Sequence, residues 1–447
     1  MMRQENAHHA YYRVKNMTRT SEIEENSGNR WITVSLGADV SEGYVLRYEL
    51  HPAEHFAFAA TTLGLETPQQ LGERLAAQVI ATLDEKKEKP DRIACDLYPK
   101  FPTTYAAEVL AEHYQVPMLR MQKCHRAILD AMDATVPSEA AGVSDASAAV
   151  LGICLDDQSY GSDGTLWGGE ILEISGEGFT RLASIHPYQL IGTNMELHSS
   201  TPWQTAVSML YDLARMSHNE DEAIRDFVAK QAASETVHLL DLCSLNDARA
   251  QYIAQDRNKN TTRSTAASGL FDAAAAILGF QRISTPTGRT AMEALTEAAE
   301  AFEQQADSVR NRAQIDALYA KLEKLIATTE EMDDPTLEPG DLWEDTDDGA
   351  FSETSADDHP DILHTEQLIR LLADERIRYL TSLGKRNYDH PLNRKHPDAG
   401  SADDNSRLLA WFLLDALATI FTQYCNNKIT VLAGKFLQSG CLRNHFK

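Results

Sequence analysis

The segment Tyr160–Glu170 reads YGSDGTLWGGE and directly follows the apolar run Gly152–Asp156. Short apolar runs that end in small or polar residues are typical of buried strands. We therefore predict a strand that ends at Asp156 and passes into a glycine-rich turn. Glycines at a strand end let backbone N–H groups approach a phosphate, and a carboxylate there can hold a divalent metal. Because glycines also build ordinary hairpins, the turn alone does not establish a ligand site.

On both sides of this turn, the pattern predicts strands that alternate with helices. Before it we expect strands in RWITVSLGAD from Arg30 and in YVLRYEL, at Asp91–Asp96 and at Pro117–Met121, with helices at Thr67–Leu83 and Thr103–Tyr114. A second strand-rich part begins at Ala148 and continues through WGGEILEIS and FTRLASI. Alternation of this kind indicates an α/β fold with mainly parallel or mixed sheets, here in two similar lobes.

The predicted domain organisation divides the chain at residue 148. We expect a disordered tail at 1–28, an N-terminal α/β lobe at 29–147, a C-terminal α/β lobe at 148–447, a helical insertion at 195–328 and a disordered acidic loop at 329–360. Residues 330–358 carry thirteen Asp and Glu and no Lys or Arg, a composition that cannot bury enough apolar surface to fold. After it we expect helices at Ile362–Leu383 and Leu408–Gln423, separated by a polar loop at 385–406, and a strand at Ile429–Ala433.

Composition and charge narrow the function class. The net charge of −26, from 41 Lys and Arg against 67 Asp and Glu, argues against nucleic acid or an anionic membrane as a partner. Six cysteines without a CxxC pair favour a reducing compartment over a disulfide framework or a zinc ribbon. The first 28 residues contain no apolar signal region, and Leu408–Phe421 is too short to span a bilayer. We therefore expect a cytoplasmic protein in which Leu408–Phe421 is a buried helix.

The eleven-residue string closely resembles the Y-G-x-D-G-T-x-W-G-G-E segment of the C-terminal carbamoyltransferase domain of the HypF family. Further segments resemble the family in the same order, over approximately residues 30 to 442: Pro90–Pro99, Val116–Met118, Thr201–Gln204, Gly269–Ala273, Gly288 with Met292-Glu293, and Val431–Gly434 with Gln438. The resemblance implies the two-lobed actin/Hsp70/sugar-kinase-like (RNase H-like) fold, which is shared with the tRNA threonylcarbamoyladenosine synthase TsaD.

The resemblance also implies a reaction and a pathway. Family members transfer a carbamoyl group from carbamoyl-adenylate to the C-terminal cysteine of a partner, HypE, during maturation of [NiFe] hydrogenase. They use ATP and a divalent metal, iron or zinc. Matching the motifs residue by residue gives a nucleotide-binding set of Asp156, Tyr160, Gly161, Gly164, Thr165, Gly168, Gly169, Asp272, Gly288 and Gly434. No catalytic residue can be assigned.

The family's metal ligands are two histidines four residues apart in a Q-H-H-H-A-H string, so that both imidazoles leave one helix face. Here the string reads Gln122-Lys123-Cys124-His125-Arg126-Ala127, and the two ligand positions hold Lys123 and Ala127. A lysine repels a cation and an alanine offers no lone pair. Asp156 is therefore the only family metal ligand that we can assign, and we expect His125 to be an ordinary helix histidine with Met121 and Leu129 as its i±4 neighbours.

The phosphate-binding positions are also changed. The family's D-G-T-G-Y-G appears as DDQSYG, so that Asp157 and Ser159 replace two glycines. The family's K-N-T reads Ser41-Glu42-Gly43, its arginine before Leu-Phe-Asp is Gly269, and the second glycine of its closing turn is Lys435. Two lysines, Lys123 and Lys435, could form a replacement anion site.

These departures leave two main hypotheses. The chain is either a HypF-like carbamoyltransferase with impaired catalysis, or a non-catalytic scaffold or regulatory pseudoenzyme; one half of a split carbamoyltransferase is a variant of the second. Its partner would be a HypE-like maturation protein or the other half of the split enzyme. A carbamoyltransferase that acts on a small-molecule hydroxyl is a third reading. The preserved residues Trp167–Glu170 and Leu270–Asp272 have structural explanations as well, in strand packing and in a helix core.

Overall fold

We analysed a computed structural model of the chain. It describes residues 32–37, 43–48, 53–58, 66–135, 149–175, 178–190, 202–216, 262–281, 290–304, 308–332, 360–382, 403–426, 430–438 and 440–446. Several parts of the chain that the sequence analysis names lie outside these residues: the predicted tail at 1–28, Ser41 and Glu42, Gly288 and nearly all of the acidic loop.

The chain divides into two compact units. The first contains the described residues up to Val150 together with Ser159–Ser162 and Glu173–Thr180, and the second contains the others. The domain boundaries given above stay predictions.

The first unit is built on a five-stranded mixed sheet in the order β3-β2-β1-β4-β5. Its strands are β1 (Ile32–Leu36), β2 (Tyr44–Tyr48), β3 (Glu54–Phe56), β4 (Arg92–Asp96) and β5 (Met118–Met121). The first three strands are antiparallel neighbours, whereas β1, β4 and β5 run parallel. The predicted α/β fold with a mixed sheet is confirmed for this unit.

In the part of the first unit that the structure describes, the helices are α1 (Pro68–Lys86), α2 (Pro102–Tyr114) and α3 (Lys123–Thr135). Helix α1 begins where the sequence indicates, because Thr67 and Gln70 form a reciprocal capping box and Pro68 occupies its first turn. Leu75 and Val79 of α1 and Leu110 of α2 join Val34 in one apolar core, so these two helices share one face of the sheet.

The second unit is built on a seven-stranded sheet. Its strands are β6 (Val150–Tyr160), β7 (Leu166–Ser175), β8 (Gly178–Ile185), β9 (Tyr188–Gln189), β10 (Arg263–Ser264), β11 (Asp361–Leu363) and β12 (Thr430–Ala433). The order β11-β8-β7-β10-β9 forms one path, and β6 pairs with both β7 and β12. Parallel pairing of β12 with β6 places Gly434 beside Leu155, in the middle of β6.

The described residues of the second unit also form helices α4 (Pro202–Met216), α5 (Ala267–Leu278), α6 (Ala291–Gln304), α7 (Ser308–Met332), α8 (Glu366–Ser382), α9 (Asp404–Cys425), a 3-10 turn (Lys435–Gln438) and α10 (Gly440–His445). Helix α9 is long and apolar enough to cross a membrane by length and composition. Its apolar side chains are largely buried within the fold, where α9 contacts α6 and α8, which confirms the predicted buried helix.

Four predictions about the helices and loops of the second unit need correction. Ile362 lies in β11, which pairs with β8, so the helix predicted from Ile362 begins only at Glu366. Residues 329–332 end helix α7 rather than beginning the acidic loop. The helical range 195–328 contains the short strand β10, which completes the sheet beside β7. Asp404–Ser406 begin α9 instead of closing the polar loop, because Asp403 caps the helix by accepting from Ser406 N–H.

Candidate functional site

The glycine-rich segment forms a hairpin between β6 and β7. Contrary to the prediction, β6 does not end at Asp156 but continues to Tyr160, and the turn occupies residues 161–165. The two residues that replace family glycines, Asp157 and Ser159, are therefore strand residues rather than members of a flexible loop. An extended strand tolerates side chains at these positions because successive side chains point to its two faces in turn.

Ser159 is part of a hydrogen-bonded chain in the first unit. Gln122 donates from Nε2 to Ser159 Oγ over 3.1 Å, and the Gln122 Oε1 atom accepts the backbone N–H of His125 at 3.1 Å. Ser159 is fully buried. A hydroxyl that is buried and paired in this way stabilises the hairpin end and does not extend toward a ligand.

The Asp156 carboxylate accepts hydrogen bonds from the backbone. Its Oδ1 atom accepts the N–H of Asp157 at 2.7 Å, and its Oδ2 atom accepts the N–H of Lys435 at 3.3 Å. Gly434 has φ of +94°, and a Cβ there would lie 2.4 Å from the carbonyl oxygen of Leu155. Only glycine fits this close approach between the closing turn and β6.

Lys435 and Asp157 form an ion pair. Lys435 Nζ lies 2.8 Å from Asp157 Oδ2. Both residues stand where the family has glycine, and each supplies the charge that neutralises the other. Because both side chains are largely exposed, the pair contributes at most about 1 kcal/mol to stability. The pair matters for ligand binding because both of its residues donate a backbone N–H to the Asp156 carboxylate.

The start of helix α5 is packed against Tyr188. A Cβ on Gly269 would lie 1.9 Å from the Tyr188 hydroxyl oxygen. That hydroxyl donates to the carbonyl oxygen of Ala266 at 3.2 Å, and the ring is fully buried. Tyr188 thus fills the space into which a side chain at position 269 would extend, and a longer residue there requires Tyr188 to move.

Asp272 on α5 is a largely buried carboxyl group. Burial, and then the negative charge of Asp157, raise the pKa of Asp272 to about 7. A carboxyl group with this pKa is partly protonated near neutral pH, because its environment disfavours the charged form.

A polar network centred on Arg181 includes the segment Trp167–Glu170. The fully buried Glu170 carboxylate accepts the N–H groups of Gly168 and Gly169, the Thr265 hydroxyl, and Arg181 Nε at 2.8 Å. Any Cβ on the two glycines would lie less than 3 Å from a backbone carbonyl oxygen. These glycines therefore allow close packing of strands, as the structural explanation anticipated.

The same arginine links Glu170 to the turn. Arg181 Nη1 contacts Asp163 Oδ2 at 2.7 Å, and its guanidinium lies 4.1 Å from the centre of the Trp167 ring. Asp163 also accepts the N–H groups of Thr165 and of the Trp167 indole. Sequence reasoning identified the string but missed Arg181 and Thr265, because both lie outside it and no spacing rule connects them to Glu170.

The other residues of the predicted nucleotide-binding set do not all lie in one place. Tyr160 stacks on Tyr98 with ring centres 4.6 Å apart. Gly164 has φ of +80° at the exposed tip of the turn, and a Cβ added there would have nothing within 4 Å. Gly161 and Thr165 lie in the same turn, and Asp272 is near enough to Asp157 for their charges to interact. Gly288 lies outside the described residues.

The former metal-ligand positions lie at the start of α3. Lys123 is its first residue, so Met121 belongs to β5 and is not a helical neighbour of His125, which corrects the expectation from the sequence. The buried His125 ring packs against Phe179. No group of three His, Cys, Asp or Glu side chains suited to a metal ion occurs among the described residues. The residues at 123 and 127 do not fit the family's metal.

Part of the chain is similar to known carbamoyltransferases. Residues 152–339 match the family model described as "Carbamoyltransferase, Kae1-like Domain, second subdomain". This part of the chain is thus similar to the Kae1-like domain of carbamoyltransferases. It is 30% identical over 200 residues to a "Carbamoyltransferase HypF homolog" of Cupriavidus necator, covering 44% of this chain and 43% of that protein. It is 31% identical over 234 residues to "Carbamoyltransferase HypF" of Rhizobium leguminosarum bv. viciae, covering 52% of this chain and 26% of that protein.

Solved HypF structures share the fold. Full-length HypF in its phosphate- and nucleotide-bound form superposes with a TM-score of 0.55 at 18% identity, over 93% of this chain and 50% of that chain. HypF from T. kodakarensis gives a TM-score of 0.57 at 16% identity, over 94% of this chain and 43% of that chain. The matched part of the chain thus spans less than half the length of the curated HypF relatives. At these identities the structural likeness concerns the fold alone, and it agrees with the α/β fold of HypF that the sequence predicts.

Proposed function

We propose that this HypF-like protein acts in the maturation of [NiFe] hydrogenase as a non-catalytic or catalytically impaired member of its family. The observation that carries this proposal is the Asp157–Lys435 ion pair. Two positions that are glycine in the family's phosphate-binding motifs hold opposite charges 2.8 Å apart, beside Asp156. A phosphate group that approached the backbone here would have to displace the pair.

Electrostatics at the same place oppose a nucleotide. Asp156 and Asp157 are adjacent carboxylates, and Lys435 supplies one positive charge against them. A phosphate brings further negative charge, which two carboxylates repel unless a cation intervenes. Lys123 and Ala127 cannot bind that cation. Removing one positioned charge or donor from a transition-state site commonly costs about 3 to 4 kcal/mol, and here several are changed together.

Tyr188 supports the same conclusion at the start of α5. The family's arginine is replaced by Gly269, and the buried Tyr188 ring fills the space beside it. The replacement is thus accommodated by packing within the protein. The Arg181 network, in contrast, retains the residues that hold the hairpin in shape. Retained packing together with changed ligand positions favours a binding role over a catalytic one.

The reaction of the family indicates which partner this protein is expected to bind. HypF proteins transfer a carbamoyl group to HypE, so a HypE-like maturation protein is the expected partner of a scaffold or regulator. The alternative, one half of a split carbamoyltransferase, predicts a second polypeptide with which this chain forms an active enzyme. Both alternatives place the protein in the same pathway.

The test measures carbamoyl transfer and metal content on the full chain. Purified protein is analysed for iron and zinc, then incubated with carbamoyl phosphate, ATP, an adenylate-forming HypF domain and a HypE-like acceptor. We expect no stoichiometric metal and little or no carbamoylation of the acceptor cysteine, together with co-purification of the acceptor. Carbamoylation by this chain that is as fast as carbamoylation by a HypF carbamoyltransferase domain with the unaltered motifs, and that is abolished by a chelator, would overturn the proposal. A complex that is active only with a second polypeptide would support the split enzyme.

A further inference from the structure

One face of the sheet in the first unit is polar although it is buried. Along β1, Ile32, Val34 and Leu36 contribute to the apolar core under α1 and α2, so the alternate residues Thr33 and Ser35 face the other side. Strand pairing aligns Arg47 and Arg92 with Thr33, and Ala94 with Ser35. A buried polar face of this kind is informative, because such residues are normally exposed.

Helix α3 covers this face with two charged side chains. Arg126 and Asp130 are four residues apart and so leave the same side of the helix. Asp130 Oδ1 contacts Arg47 Nη2, and Asp130 Oδ2 lies 3.9 Å from Arg126 Nη1. The arginine side chains are only 12% and 9% exposed, whereas Asp130 is 31% exposed. One solvent-accessible carboxylate is thus shared by two buried guanidinium groups.

A cavity of about 10 Å³ adjoins this charge cluster. It is lined by Thr33, Ser35, Arg47, Arg126 and Asp130, with Ala94, Met121 and Leu129 supplying apolar walls. This volume holds about one water molecule. Rotation of the Asp130 side chain toward solvent would add the volume of one carboxylate group to the cavity. The enlarged space would present two guanidinium forks and two hydroxyl groups.

We propose that this pocket in the first unit binds a small carboxylate-sized anion, which takes the place of the Asp130 carboxylate between Arg47 and Arg126. The planar guanidinium group matches a carboxylate with two parallel N–H···O bonds, which favours planar oxoanions such as formate, acetate or bicarbonate. The small cavity disfavours phosphate and nucleotides. Asp130 acts as a built-in competitor that occupies the site when no anion is bound.

The proposal predicts an inverse relation between Asp130 and anion affinity. Binding of ¹³C-formate to the full chain is measured by NMR line broadening at constant ionic strength, with chloride as the balancing salt. Because Asp130 competes from within the molecule, Asp130→Asn should bind formate at least about tenfold more tightly than the unmodified protein. Asp84→Asn serves as a matched control, since Asp84 is an exposed helical aspartate outside the pocket.

A second variant tests the arginines. In the Asp130→Asn background, Arg126→Gln should abolish saturable formate binding, while far-UV circular dichroism verifies that the fold is kept. If that double variant does not fold, thermal unfolding of Asp130→Asn as a function of formate replaces it. A saturable rise in melting temperature with formate, absent in Asp84→Asn, supports the site. Equal affinity in Asp130→Asn, Asp84→Asn and the unmodified protein would overturn the proposal, as would tighter binding of phosphate than of formate.

Discussion

The Glu170 carboxylate is the buried charge on which the hairpin most depends. It is 0% exposed and is neutralised by Arg181, whose side chain is 7% exposed. Removing one partner of a buried ion pair leaves an uncompensated charge and commonly costs about 3 to 5 kcal/mol. We therefore expect Arg181→Met to lower the free energy of unfolding by about this amount, measured by denaturant titration.

Arg378→Met is the matched control for that variant. Arg378 also contacts a glutamate, Glu375, but its side chain is 62% exposed, so its loss should cost less than about 1 kcal/mol. Equal effects of the two substitutions would show that the Arg181 network does not hold the hairpin.

Gly269 is constrained by Tyr188. Gly269→Ala places a Cβ 1.9 Å from the Tyr188 hydroxyl oxygen, and overpacking of this kind costs about 1 to 3 kcal/mol. Gly440→Ala, where nothing lies within 4 Å of the new Cβ, should have a much smaller effect. In the Tyr188→Leu background, we expect Gly269→Ala to lose most of its cost. A full cost that persists in that background would exclude Tyr188 as its cause.

Asp272 gives the protein a specific dependence on pH. Its pKa in the folded protein is about 7, above the ordinary value of 3.8, so the folded state binds this proton more strongly than the unfolded state. Its contribution to stability is therefore present at low pH and declines as pH rises from about 4 to 7. We expect Asp272→Asn to be more stable than the unmodified protein at pH 8, with a difference that shrinks toward pH 4. A constant difference across this range would contradict the raised pKa.

Local sequence signals predicted the helices well where the signal and the fold agree. Thr67, Pro68 and Gln70 determine the start of α1 through hydrogen bonds among near neighbours in the chain. Such signals could not predict β11, since Asp361–Leu363 is a strand only because β8 lies beside it. The length of β6 was underestimated for a similar reason. Pairing partners far away in the sequence, not the residues themselves, keep 157–160 extended.

The capping box allows a test at the scale of one element. Thr67→Ala removes the side-chain acceptor for Gln70 N–H and should cost about 1 kcal/mol. Gln69→Ala, an exposed position in the same first turn, should cost less than half of that. Thermal unfolding of both variants measures the difference. Similar melting temperatures would mean that tertiary packing alone positions the start of α1.

At the scale of the whole molecule, the motifs predicted the fold and the family more fully than they predicted the site. The string Tyr160–Glu170 identified the HypF resemblance, and the two sheets and the HypF structural neighbours agree with it. The site was less predictable because its altered residues interact with one another over long sequence distances. Asp157 meets Lys435, and Gly269 meets Tyr188. Neither contact follows from a local pattern.

Nucleotide binding by the full chain tests the central claim most directly. Isothermal titration with AMP and with ATP, each in the presence of Mg²⁺ or Zn²⁺, measures whether the altered phosphate-binding positions still accept a ligand. Because the Asp157–Lys435 pair stands beside Asp156 and the former histidine positions hold Lys123 and Ala127, we predict no saturable heat under any of these conditions. One-to-one binding of AMP or ATP that requires the cation would contradict the account.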